Sequence, residues 1–136
     1  MKLEKINYKS LSPRQQEIFN FQKISSKLAD FGFKTIKLAD DWNGADFIAQ
    51  HFNKDEFLKI QLKGRLTFDK KYIKKDLWVC FRSDDIIYLY PHDELLEKLL
   101  KHGLMKNTES WDVKGGYSYP SLSKQLVQII KEYKLE

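Results

Sequence analysis

Two runs of alternating side chains, residues 45–52 and 56–63, separated only by the polar Asn53-Lys54-Asp55, constrain this chain more than any other feature. In the second run Leu58, Ile60 and Leu62 fall on one face and Lys59, Gln61 and Lys63 on the other, the period-two pattern of a half-buried strand. A short polar link between two such runs makes an antiparallel hairpin. The regular register expected for it sets Asp46 opposite Lys63 and Ile48 opposite Gln61. Opposed Cβ atoms then lie about 4.5 to 5.5 Å apart and diagonal ones about 7 to 8 Å. Asp46, Gln61 and Lys63 converge on one patch, provided that no three-residue loop or bulge intervenes.

Packing alone does not call for an acid, an amide and a lysine on that patch. A hard cation such as Mg²⁺ or Mn²⁺ takes oxygen ligands, one or two from protein and the rest from water and phosphate. The Asp46 carboxylate, the Gln61 side-chain carbonyl and the Leu62 main-chain carbonyl are the candidate metal ligands. Such a metal polarises a phosphate and acidifies a bound water. Lys63 is a point charge suited to orienting the attacking water and stabilising the transition state. The chemistry this patch fits is phosphodiester hydrolysis; the alternative is a surface ion pair between Asp46 and Lys63 with Gln61 as a solvated neighbour.

Asp46, then fourteen residues, then Gln61-x-Lys63 resembles the signature of the PD-(D/E)xK nuclease superfamily, which includes restriction endonucleases, Holliday-junction resolvases and Mrr-like enzymes. The string from Leu38 through Asp46, with the one from Gln61 to Tyr72, is also similar to a group of short bacterial proteins in that superfamily. The resemblance extends over residues 12–90. It implies an α/β, restriction-endonuclease-like fold, a central mixed sheet of about five strands flanked by helices, and an endonuclease that cuts DNA with Mg²⁺. It also implies a first helix that carries a catalytic acid and closes on Gly plus an aromatic, here Gly32-Phe33. Counting back from Gly32 puts Gln22 at the place of that acid, as a fourth catalytic candidate beside Asp46, Gln61 and Lys63, while Glu17 lies more than a turn earlier. Gln61 stands where an Asp or Glu is more common.

The elements around the hairpin are legible from local signals. Ser12-Pro13-Arg14-Gln15 reads as a capping box with proline in the first turn, and Ile18, Phe21, Ile24, Leu28 and Phe31 form the apolar stripe of the helix that follows. Residues 33–38 alternate like a strand, and Asp40-Asp41 reads as a turn with a capping acid in preference to a pair assisting a second metal. Residues 77–81 and 86–90 read as two strands joined at Ser83-Asp84-Asp85, and Pro91 ends the second. A helix with Leu95, Leu96, Leu99 and Leu100 inward runs to His102 and stops at Gly103, with His92 read as a cap. Residues 103–120 read as a loop. A last helix starts from Ser121, its stripe at Leu122, Leu126, Ile129, Ile130 and Tyr133 covering the sheet or forming a dimer interface. Between Lys63 and the next strand there is room for about two turns of helix, against the dozen or more residues a parallel crossover needs.

At 136 residues the chain fits one domain spanning residues 1–136. No apolar run approaches the roughly 20 residues of a membrane span, and the first residues do not resemble a signal peptide, so a cytoplasmic protein with no membrane partner is expected. Cys80, the one cysteine, excludes an internal disulfide, and three scattered histidines give no zinc spacing. The net charge of +5 favours a polyanionic partner. Residues 64–75 carry Arg65, Lys70, Lys71, Lys74 and Lys75 with Phe68 and Tyr72, a stretch suited to a phosphate backbone, with an aromatic to stack on a base; the alternative is a solvated lysine-rich loop whose aromatics pack into the core. Two functions follow: a Mg²⁺-dependent DNA endonuclease, in which cutting both strands favours a homodimer, or a non-catalytic module of the same fold that binds nucleic acid or a partner protein.

Overall fold

A capped helix comes first. Ser12 Oγ accepts from the Gln15 amide at 3.2 Å and Gln15 Oε1 accepts from the Ser12 amide at 2.9 Å, so the expected capping box opens α1 (Pro13–Asp30). Such a cap is worth about 1 kcal/mol. Just past the helix end, Gly32 takes a φ of +86° that glycine adopts at little cost, and a Cβ on it would lie only 2.7 Å from His51 Nε2.

The computed structural model describes residues 1–136. After α1 come β1 (Phe33–Trp42), β2 (Ala45–His51), β3 (Phe57–Lys63), β4 (Thr67–Asp69), β5 (Leu77–Ser83), β6 (Ile86–Pro91), α2 (His92–Lys101), β7 (Gly116–Ser118) and α3 (Lys124–Ile130). The central sheet has the order β1-β2-β3-β5-β6, with β3 and β5 parallel and every other neighbour antiparallel. This is the α/β architecture with a five-stranded mixed sheet that the sequence led us to expect. A separate two-stranded sheet pairs β4 with β7.

Helices cover both faces of the central sheet. On one, Ile24 and Leu28 of α1 pack against Phe47, Ala49, Ile60, Cys80, Ile87 and Leu89. On the other, α2, α3 and the small sheet close over Val79, Phe81, Tyr88 and Tyr90. β5 is buried on both sides, which explains its unbroken apolar run. No helix is long and apolar enough to cross a membrane.

Several local expectations are corrected. The β2–β3 ladder pairs Phe47 with Ile60, Ile48 with Lys59 and Gln50 with Phe57, two residues away from the register expected. The cause is the turn: the His51 amide bonds Glu56 O at 3.0 Å, and His51 Nδ1 accepts from the amides of Asn53 and Lys54, both at 3.1 Å, so the loop is residues 52–55. Because the slip is even, every side chain keeps its face. β1 continues past Leu38 to Trp42, and the reversal falls at Asn43-Gly44, with φ of 53° and 93°, the residue pair that suits a tight hairpin. Asp41 caps it by accepting from the Gly44 amide at 2.5 Å. The crossover from β3 to β5 holds β4 and a single 3₁₀ turn at Lys70–Tyr72 in place of helix. Residues 103–120 are not a plain loop, since Ser110–Lys114 winds into a helical turn and β7 pairs with β4. The last helix is capped by Ser123, not Ser121, and it covers the sheet. His92 is the first residue of α2 and wholly buried, with Pro91 in the cap position.

Candidate active site

Asp46 sits where the sheet comes apart on both sides of it. Toward β1 the register jumps between Lys37–Phe47 and Trp42–Ala45, so that residues 38–41 bulge opposite Asp46 alone. Toward β3 the ladder stops at Phe47–Ile60. Alternate β3 residues turn their N–H and C=O toward β2, and the bond from His51 to Glu56 fixes that parity, so Leu62 also faces β2. Its amide is met by a side chain rather than by backbone: Asp46 Oδ2 accepts from Leu62 N at 2.8 Å. The Leu62 carbonyl faces the same opening. Bulges of this kind re-aim side chains and are common beside functional sites.

The slipped register places Asp46 across from Gln61, with Lys63 one step further along the same face; all three are half-buried. Loss of solvent raises the Asp46 pKa most. The Leu62 amide opposes the shift, the Glu17 carboxylate adds to it, Lys63 opposes it and Asp41 adds to it. An anion thus sits in a partly dry place with two acids near enough to be felt and one lysine partly compensating. No group of three or more His, Cys, Asp and Glu side chains is gathered closely enough to hold a metal by itself. The available donors are all oxygens, Asp46 Oδ1, the Gln61 amide and the Leu62 carbonyl. That set suits a Mg²⁺ that keeps most of its waters and shares a phosphate, and does not suit a metal that demands nitrogen or sulfur.

Tyr72 packs beside the site. It packs with Ala45 and Leu77, its ring 3.1 Å from where a Cβ on Gly44 would lie. The ammonium groups of Lys63 and Lys71 stand 5.7 and 5.3 Å from its centroid. Burial chiefly raises its hydroxyl pKa; Lys71 opposes this, and Asp69, Asp46 and Asp41 add to it. Tyr72 is therefore not a stacking residue on an open loop; at 5% exposure its ring is not offered to a base, and Phe68 is wholly buried.

The turn that carries Tyr72 is pinned by a buried histidine. His92 Nε2 accepts from the Asp69 amide at 3.1 Å, so the ring proton is on Nδ1, which donates to Asp93 Oδ1 at 2.8 Å. The other Asp93 oxygen accepts from the Lys74 amide at 2.9 Å. One His–Asp pair thus holds both ends of the turn. Burial lowers the His92 pKa, and Asp93 and Asp69 counter it in part. The sequence offered only "His after Pro at a helix start", with no sign that the ring would point inward.

The helix acid that meets the site is Glu17. It lines a cleft of about 250 Å³ with Asn20, Leu62, Lys63 and Gly64. Gln22 is exposed and outside that cleft, because five residues along an α-helix turn it about 140° from Glu17. The cationic residues do not gather as one loop surface. Lys70 lies over the Trp111 ring at 5.2 Å, Lys71 reaches Asp69 at 3.9 Å, and the Lys75 carbonyl accepts from Lys59 Nζ at 2.7 Å. Lys74 and Arg65 are exposed, Lys74 beside α2 and Arg65 next to the cleft. Compared with known proteins, the chain matches no family model, no curated protein and no solved structure.

Proposed function

We propose that the protein is a metal-dependent phosphodiesterase acting on DNA, with the site at Asp46, Gln61 and Lys63. The observation that carries this reading is the placement of a half-buried acid, an amide and a lysine on one face where the sheet opens, beside a cleft that holds Glu17. The order of a capped helix, three antiparallel strands and a strand parallel to the third agrees with the nuclease superfamily whose D...QxK pattern the sequence resembles.

Asp46, Gln61 and the Leu62 carbonyl would hold a Mg²⁺ or Mn²⁺, and Glu17 is the acid placed to assist. When bound, such an ion supplies charge neutralisation at the phosphate and an acidified water. The chain's own contribution is positional. The Leu62 amide fixes one Asp46 oxygen and leaves the other free, and Tyr72 gives Lys63 a rigid wall on which to lie. Lys63 then directs positive charge at the phosphate oxygens as they gain charge.

One observation favours a second reading. Only Asp46 of the three site residues is acidic, and half of its carboxylate is already spent on the Leu62 amide, as in a fold that binds nucleic acid without cutting it. Incubating supercoiled plasmid, linear single strands and a four-way junction with Mg²⁺ or Mn²⁺ separates the two. We expect metal-dependent cleavage by wild type and a loss of at least about 100-fold in Lys63→Ala. No cutting, or equal cutting by both, would leave the binding module as the better reading.

A further inference from the structure

Three depressions meet at Gly64. The first is the Glu17–Lys63 cleft; the second, about 100 Å³, is lined by Arg65, Arg82 and Tyr119; the third, about 460 Å³, by Tyr8, Lys9 and Arg82. Gly64 borders all three, and a Cβ built on it would meet nothing within 4 Å. They form one trench that leads from the candidate active site across the end of β3 to the β5–β6 hairpin. Lys63, Arg65, Arg82 and Lys9 line it, and none of the four has a carboxylate partner within 4.0 Å.

Arg82 is held in advance. Its guanidinium lies 4.7 Å from the Tyr8 ring centroid and 5.2 Å from that of Phe19. Its Nε donates to Asn20 Oδ1 at 2.9 Å, one Nη donates to the Asp84 carbonyl, and Asn20 in turn donates to the Tyr8 hydroxyl at 2.8 Å. Asn20 is one of only two polar residues buried in the molecule. The rest of the guanidinium fork is left without a partner, and a fixed fork of this kind matches phosphate oxygens. A second sign of a missing partner lies in the same depression. The Tyr119 hydroxyl is the one buried side-chain polar atom with no hydrogen bond, and native structures rarely leave such a group unsatisfied.

We propose that this trench binds one strand of nucleic acid through its phosphates, with Arg82 as the anchor and Arg65, Lys9 and Lys63 along the path. It assigns backbone recognition to the trench rather than to the lysines of residues 70–75. Asp84 and Asp85, at the hairpin tip, limit the path at its far end. The proposal rests on the phosphodiesterase reading for what the strand does at Lys63, but binding alone tests it.

The test is fluorescence anisotropy of a labelled oligothymidylate with the full chain in EDTA, where no metal-dependent cutting occurs. Gly64→Glu is the key variant, because its φ is not in the left-handed region and its side chain enters open space, so the fold is spared. We expect binding to weaken by at least about tenfold, as juxtaposed like charges predict. Arg82→Lys, which keeps the charge and loses the fork, should weaken it by less. Asp84→Asn with Asp85→Asn should tighten it. With four phosphates neutralised on a single strand, log K should fall with log salt at a slope of about −3. No binding at low salt, unchanged binding by Gly64→Glu, or loss only on replacing Lys70, Lys74 and Lys75 by Ala would overturn the trench. The plasmid assay with Lys63→Ala judges the phosphodiesterase reading separately: a chain that binds through the trench and never cuts keeps the one and loses the other.

Discussion

At the scale of single residues, Asp46 and His92 carry opposite pH signatures. Asp46 has a raised pKa when folded, so the native state holds its proton to higher pH than the unfolded chain does, and stability falls as pH rises through that window. In EDTA, Asp46→Asn should therefore unfold at a higher temperature than wild type near pH 7, and the gap should close as pH is lowered into the carboxylate range. Added Mg²⁺ should raise the wild-type midpoint and leave the variant's unchanged, as linkage to binding at Asp46 requires. His92 has a lowered pKa when folded, so the unfolded chain takes up the proton first. The stability it lends is intact at neutral pH and is lost as pH falls below about 6.5. His92→Gln should flatten urea midpoints between pH 7.5 and 5, and His92→Ala should cost about 2 to 3 kcal/mol through the unmet Asp69 amide. These roles were only half visible in the chain. Asp46, Gln61 and Lys63 share a face because strand periodicity is strict. Glu17 and Tyr72 could not be read that way, since which of several helix positions meets the site, and whether an aromatic in a lysine-rich stretch turns inward, depend on long-range packing.

At the scale of elements, the hairpin shows what pattern can and cannot specify. Alternation fixes the face of each β3 residue, but any register differing by two satisfies it equally. The choice was made by the His51 ring capping the turn, a contact without a sequence signature. The β1 bulge was hidden for a similar reason: Leu38 to Asp41 reads as a strand running into a turn, and only pairing with β2 reveals the extra residues. The close of α1, by contrast, was legible in Gly32. Gly32→Ala should cost about 1 to 3 kcal/mol from its positive φ. Part of the loss should be recovered in Gly32→Ala with His51→Ala, where the ring that crowds the new Cβ is gone. Denaturation of the two single variants and the double would measure that coupling.

At the scale of the whole molecule, β5 joins the two cores, giving Cys80 to one side of the sheet and Val79 and Phe81 to the other. The two sides should melt together. Ile60→Ala beneath α1 and Leu99→Ala on α2, in the core across the sheet, should each cost about 2 to 5 kcal/mol. Both should shift a single transition in which tryptophan fluorescence and far-ultraviolet circular dichroism coincide, and separate transitions would show that the cores fold independently. The sheet has two margins, and they are treated differently. The C-terminal residues cover β6, through the Leu135 amide to Ile87 O at 2.9 Å and a bridge from Lys134 to Tyr88. The margin at β1 has no such cover and exposes Ile36 and Trp42. A flat apolar margin would invite strands from other molecules, but this one is bent by the bulge opposite Asp46 and carries Lys34 and Lys37, both features that discourage edge-to-edge growth. The irregularity that frees Asp46 thus also guards against aggregation, and a variant that straightened β1 to improve its pairing would trade solubility for order.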